Sequence, residues 1–116
     1  MLVSEIAQSL VDLCRAGEFE HPYDTLFAAH AKSVEGTGEV SDGLAAIKAK
    51  GEEWGQNNTV HGFTVNGPFV GIDQFAVHFI LDITPKRTGE RMSFAEVGVY
   101  TVADGKIVEE KFLYGA

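Results

Sequence analysis

From Gln74 to Thr84 the side chains of Phe75, Val77, Phe79, Leu81 and Ile83 fall on every second residue. A period of two places them on one face of a β-strand, and no helix can gather them. A strand so apolar on one side must bury that side, which commits the chain to a sheet with a cover. The N-terminal segment is suited to provide it. Val3, Ile6, Ala7, Leu10, Leu13 and Cys14 recur at three- and four-residue spacing, with Ser4, Glu5, Gln8, Asp12 and Arg15 on the other side. This predicts an amphipathic helix over residues 3–16, stopped by Gly17.

The remaining segments follow from local signals. Pro22 is pre-set for the first turn of a short second helix carrying Tyr23, Leu26 and Phe27. Residues 30–35 read as a short strand and Glu35-Gly36-Thr37-Gly38 as a loop. Ser41 reads as the N-cap of a third helix that runs to about Asn57, with Leu44, Ile47, Gly51 and Trp54 along one stripe. From there the pattern is β. Thr59–Val65 is interrupted by Gly67-Pro68, as a bulge or bend would do. Gln74–Thr84, a turn through Glu90, and Met92–Val102 follow. Asp104-Gly105 signals a hairpin, and Ile107–Tyr114 closes the chain. Helices followed by an antiparallel meander predict one α+β domain over residues 1–116, with three helices packed on one side of a curved sheet.

Composition narrows the function. A chain of 116 residues with one cysteine builds its core without disulfide or metal staples. A hydrophobic fraction of 45% and a charged fraction of 22% are those of a globular chain. A net charge of -8 opposes nucleic-acid or anionic-membrane binding by bulk electrostatics. No apolar run approaches the roughly 20 residues of a membrane span, and no basic-then-apolar leader opens the chain. The expectation is an acidic, cytoplasmic domain.

Three segments carry a resemblance to a known family. They are Arg15-Ala16-Gly17-Glu18 at the end of the first helix, Ser41-Asp42-Gly43-Leu44-Ala45-Ala46-Ile47-Lys48 at the start of the third, and the hairpin Tyr100 to Glu110. In this order and spacing the chain resembles the nuclear-transport-factor-2-like superfamily, the cystatin-like cones, and within it the SnoaL-like branch. The resemblance implies a conical pocket between the concave sheet face and the helices, and a homodimer through the sheet. It does not choose a function, because this fold hosts isomerases, cyclases, dehydratases, transport factors and binding domains.

Ketosteroid isomerase is a relative in this resemblance, and it works with a carboxylate base, a tyrosine donor and a carboxylic acid kept protonated by an apolar site. The position corresponding to its donor tyrosine is Leu10 here, the base position falls on Glu35 or Gly36, and the acid position falls on Gly98. Glu96, two residues earlier, projects on the same strand face as Gly98. The neighbours of Glu96 depend on the hairpin. A two-residue loop pairs Ala103 with Lys106 and puts Glu96 with Tyr100, Lys111 and Leu113. A three-residue loop pairs Val102 with Lys106 and puts it with Tyr100, Phe112 and Tyr114, because a one-residue slip exchanges faces. The longer loop is favoured.

Glu96 among Phe94, Tyr100, Phe112 and Tyr114 is then a candidate acid or base whose burial raises its pKa. Glu35 is a second candidate and His78 a third, as a proton partner near Glu96; each also reads as a structural or solvated residue. Trp54 reads as pocket wall or core. His21, His30 and His61 are scattered, so no metal and no cofactor is expected. Gly36, Gly38 and Gly43 do not form a nucleotide loop. Cys14 reads as a buried, inert thiol. The functional expectation is a small-molecule-binding domain for an apolar or aromatic compound, with acid-base isomerisation, cyclisation or dehydration of a carbonyl compound as one reading. A non-catalytic binding or dimerisation module with a filled pocket is the other.

Overall fold

The structure is a computed structural model, described here over residues 2–114. In chain order it forms α1 (Val3–Arg15), α2 (His21–Thr25), β1 (Phe27–Val34), β2 (Val40–Asp42), α3 (Leu44–Asn57), β3 (Asn58–Val70), β4 (Gln74–Pro85), β5 (Met92–Ala103) and β6 (Lys106–Leu113). The strands build one six-stranded sheet in the order β2-β1-β6-β5-β4-β3. Neighbours are antiparallel except β1 and β6, which run parallel, so the first strand closes against the last. This is the α+β cone that the resemblance implies.

The alternating segment behaves as its pattern demands. Phe75, Val77, Phe79, Leu81 and Ile83 of β4 are all buried. The core that Phe75, Val77 and Phe79 enter includes Ile6, Ala7, Leu10, Val11 and Cys14 of α1, together with Ile47 of α3. The helix ends in a turn at Gly17, whose φ of +81° suits glycine. The Arg15 guanidinium donates to the Val65 carbonyl at 3.1 and 3.2 Å, pinning the end of α1 to β3. α1 packs on β3 and β4, while α3 lies mainly along β1 and β2. No helix of the described residues packs closely on β5 and β6, and the space left there is the cavity of the cone. None of these helices is long and apolar enough to cross a membrane.

Three local expectations are corrected and one is met. Phe27 opens β1 instead of ending α2, because its backbone pairs with Ile107 of β6. Ser41 does not cap α3; it pairs with Ser33 as the centre of β2, and the cap falls on Gly43. The interruption expected at Gly67-Pro68 is present as a register shift between Asn66 and Phe69, across which β3 continues to Val70 through a cis Gly67-Pro68 bond.

The third correction concerns the hairpin. Its loop has two residues, with Ala103 opposite Lys106. Asp104 and Gly105 take φ of +52° and +75°, the double left-handed geometry of a two-residue turn that suits the sheet twist. Parity is then changed by a bulge. Val102 pairs with Ile107 but Thr101 pairs with Glu109, leaving Val108 as an extra residue. Beyond it Tyr100 faces Glu110 and Gly98 faces Phe112. The face expected from a longer loop is therefore reached by a shorter loop and an inserted residue.

Candidate functional site

The concave space between β5, β6 and the helices is a cavity of about 1000 Å³, at the upper end of what small-molecule sites occupy. Parity decides its floor. Phe79 of β4 pairs with Glu96 and Leu81 with Phe94, so the inward face of β5 carries Phe94, Glu96, Gly98 and Tyr100. The bulge at Val108 adds Glu110, Phe112 and Tyr114 from the β6 end. Trp54 from α3 and Tyr23 from α2 also line the space, as does Glu35 from the end of β1. Trp54 is 40% exposed, which places it at the mouth.

A chain of polar groups runs along one wall. The Tyr114 hydroxyl donates to Glu35 Oε2 at 3.2 Å. Glu35 Oε1 lies 2.6 Å from Lys50 Nζ, both side chains being about three-quarters buried. Lys50 also donates to Ser33 Oγ, and Ser33 donates in turn to Glu110 Oε1 at 2.8 Å. Lys50 Nζ stands 5.4 Å from the centre of the Phe112 ring. One ammonium thus serves Glu35 directly and Glu110 through Ser33.

Glu96 lies outside this chain. Its carboxyl makes no hydrogen bond with the described residues. Burial pushes its pKa up from 4.5 to about 7; the charges of Glu35 and Glu110 add to the shift, and Lys50 opposes it. Glu110 is also pushed up to about 7 by burial, against the Ser33 hydrogen bond and the Lys50 charge. Two carboxyl groups that titrate near neutrality therefore share one cavity with a third, Glu35, paired to a lysine. Such a site can hold and release a proton near pH 7, which proton transfer on a bound molecule requires. Cys14 is pushed up to about 12, by burial first and then by Glu110, so its thiol stays protonated.

The expected lining residues Trp54, Phe94, Tyr100, Phe112 and Tyr114 all border the cavity, as do Glu96 and Glu35. His78 does not. It pairs with Val97 and Asn66 on the outer face of the sheet, and its Nδ1 lies 3.1 Å from Asn66 Nδ2. The expectation of a His78–Glu96 pair is therefore corrected, because alternation sends neighbours of Phe79 to the opposite side. Glu110, Ser33 and Lys50 were missed. Glu110 sits in the charged run Glu109-Glu110-Lys111, which reads as solvated, although its spacing of two from Phe112 is a signal that could have found it. Lys50 sits three residues after the buried Ile47, beside the apolar stripe of α3. Among the described residues, no group of His, Cys, Asp and Glu is arranged to hold a metal ion.

Known proteins share this fold. A family model described as SnoaL-like domain matches residues 1–114. A candidate SnoaL-like polyketide cyclase from Mesorhizobium loti, also described as a carbohydrate phosphatase, is 42% identical, with a TM-score of 0.95 over 98% of this chain and 100% of that one. A candidate SnoaL-like polyketide cyclase from Jannaschia sp. CCS1 is 15% identical, with a TM-score of 0.76 over 95% of this chain and 83% of that one. A protein of cystatin-like fold from Xanthomonas campestris is 15% identical, with a TM-score of 0.78 over 100% of this chain and 92% of that one. The last two likenesses concern the fold alone. Among proteins of curated function, none matches the sequence.

Proposed function

The chain belongs to the SnoaL-like domain family, and from that premise we propose that it binds a small, largely apolar carbonyl compound of polyketide-like type and moves a proton on it through Glu96. The observation that carries this reading is Glu96 itself. Its carboxyl is raised to about 7, free of hydrogen bonds to the described residues, and set in a cavity walled by Phe79, Phe94, Phe112 and Tyr114.

Ionised Glu96 takes a proton from the carbon next to the carbonyl. The C–H pair becomes a C=C bond, and the carbonyl π pair moves onto oxygen. Neutral Glu96 then returns the proton to another carbon of the conjugated system, which completes an isomerisation. In a cyclisation the enolate carbon attacks a second carbonyl of the same molecule, and Glu96 protonates the new alkoxide. Glu35 is held by Lys50 and Tyr114, and its charge adds to the burial that favours a proton on Glu96.

The 42% identity to a candidate polyketide cyclase supports the substrate class. A phosphate ester fits less well, since Glu35, Glu96 and Glu110 face a single lysine and would repel a dianion. A filled dimerisation module is disfavoured by the volume of about 1000 Å³. The test is turnover of an enolisable 1,3-diketone by Glu96→Gln. A loss of about 100-fold or more is expected for a missing proton-transfer group, and unchanged turnover removes Glu96 from the reaction.

A homodimer through the outer sheet face belongs to the same proposal. Ile80, Val97 and Val99 are half-buried neighbours on β4 and β5 and supply apolar surface there. Sedimentation equilibrium at micromolar concentration should give twice the 12.5 kDa chain mass; a single-chain mass discards the dimer.

A further inference from the structure

We propose that the Tyr100 hydroxyl is the donor that takes the ligand's carbonyl oxygen, placed for this by the absence of a side chain at Gly98. The proposal rests on reading the cavity as a carbonyl site, and it adds the group that fixes the reacting end of the ligand. Tyr100 is 3% exposed, and its ring is stacked on Phe75 with centroids 4.9 Å apart and planes 13° apart. The ring is therefore held in one orientation.

That orientation lays the ring back over Gly98. A Cβ at position 98 would meet Tyr100 Cε2 at 2.8 Å, the hydroxyl oxygen at 2.9 Å and Cζ at 3.1 Å. Real Cβ atoms do not approach so closely, so any residue but glycine displaces the phenol. The hydroxyl stands over position 98, on the same strand face as Glu96 and one alternation away from it.

The hydroxyl is also unspent. It makes no hydrogen bond with the described residues. Among them, no enclosed side-chain oxygen or nitrogen lacks a partner, so the Tyr100 oxygen faces the cavity it lines. The Ser33 hydroxyl is committed to Glu110 and the Tyr114 hydroxyl to Glu35. Burial, followed by the charge of Glu110, raises the Tyr100 pKa well above its ordinary value, so the phenol keeps its proton. A donor held rigidly without an acceptor is matched when a ligand brings an oxygen. The bond strengthens as that oxygen gains negative charge, while the phenolic O–H stays intact.

The experiment uses two probes of one shape: acetophenone, and α-methylstyrene, in which C=CH2 replaces C=O. The wild-type protein should prefer acetophenone by ~10-fold, the worth of one hydrogen bond, and should lower the infrared carbonyl stretch of the bound ketone. Tyr100→Phe keeps the ring and its stack, and should abolish both the preference and the shift. Gly98→Ala should do the same by displacing the phenol. If Tyr100→Phe keeps the preference, or Tyr23→Phe loses it instead, the donor assignment is overturned. If neither probe binds wild type, the carbonyl-site reading falls and the assignment falls with it; if both bind but Tyr100→Phe is silent, only the donor is wrong.

Discussion

β4 and β5 lie side by side and turn the same face toward the helices, yet one builds core and the other builds a site. The inward residues of β4 are Phe75, Val77, Phe79, Leu81 and Ile83, none more than 8% exposed. Those of β5 are Phe94, Glu96, Gly98, Tyr100 and Val102, which include a carboxyl, a missing side chain and a phenol. The difference follows the cover above them. α1 stands over β3 and β4, whereas β5 and β6 face the gap between α1 and α3. A strand under a helix must be apolar to close-pack. A strand under a gap can carry groups whose partner is a visiting molecule. Both strands reach the core and the cavity, but β4 gives the cavity only apolar wall, through Phe79 and Leu81, while β5 gives it the polar groups.

Two measurements test that division. Phe75→Ala empties a core position that is 2% exposed, and should cost about 3–5 kcal/mol in urea unfolding. A cost below about 1 kcal/mol would erase the contrast with β5.

The second effect comes from β5 and β6 and is read from pH. Glu96 and Glu110 have folded-state values of about 7 against an ordinary 4.5. The folded protein therefore binds protons that the unfolded chain has released. Their contribution is fully present below about pH 4.5, is lost as pH rises through about 7, and is flat above that. The decline should be on the order of 3 kcal/mol per carboxyl, seen as a falling urea midpoint between about pH 5 and 8. Glu96→Gln should flatten part of it and should not weaken the protein at the upper end of that range. A midpoint that climbs across this interval would mean that both carboxyl groups are better solvated than their burial implies.

β4 is legible in the sequence because a period of two is unambiguous over ten residues. The face of Glu96 is legible only through the hairpin, and there only in part. Asp104-Gly105 correctly marks the turn, but nothing in Ile107-Val108-Glu109 announces that Val108 is left out of the pairing. Bulges answer to the twist and bending of the strand pair, not to a local sequence signal. β2 is hidden for a similar reason: Val40–Asp42 is too short for a periodic pattern and exists because β1 offers it an edge. The polar wall is the least legible part. Lys50, Ser33 and Glu110 come from α3, β1 and β6, and each looks ordinary in its own segment. Only the parallel pairing of β1 with β6, which sets Ser33 beside Glu110, makes them one group. His78 shows the converse, a histidine that looks suggestive beside Phe79 and lies on the other side of the sheet.

The inserted residue at position 108 gives the last strand something like a reading frame. With Val108 unpaired, the cavity reads Glu110, Phe112 and Tyr114; in an uninterrupted ladder from the same turn it would read Glu109, Lys111 and Leu113. A single codon gained there, with one residue still bulged, rewrites three positions of the wall together, changing acid, aromatic, aromatic into acid, base, aliphatic, whereas loss of Val108 together with its bulge leaves the same three residues on the wall. For a lineage of such cones, the ligand preference of this wall can therefore change in one genetic step without a substitution at any residue that touches the ligand.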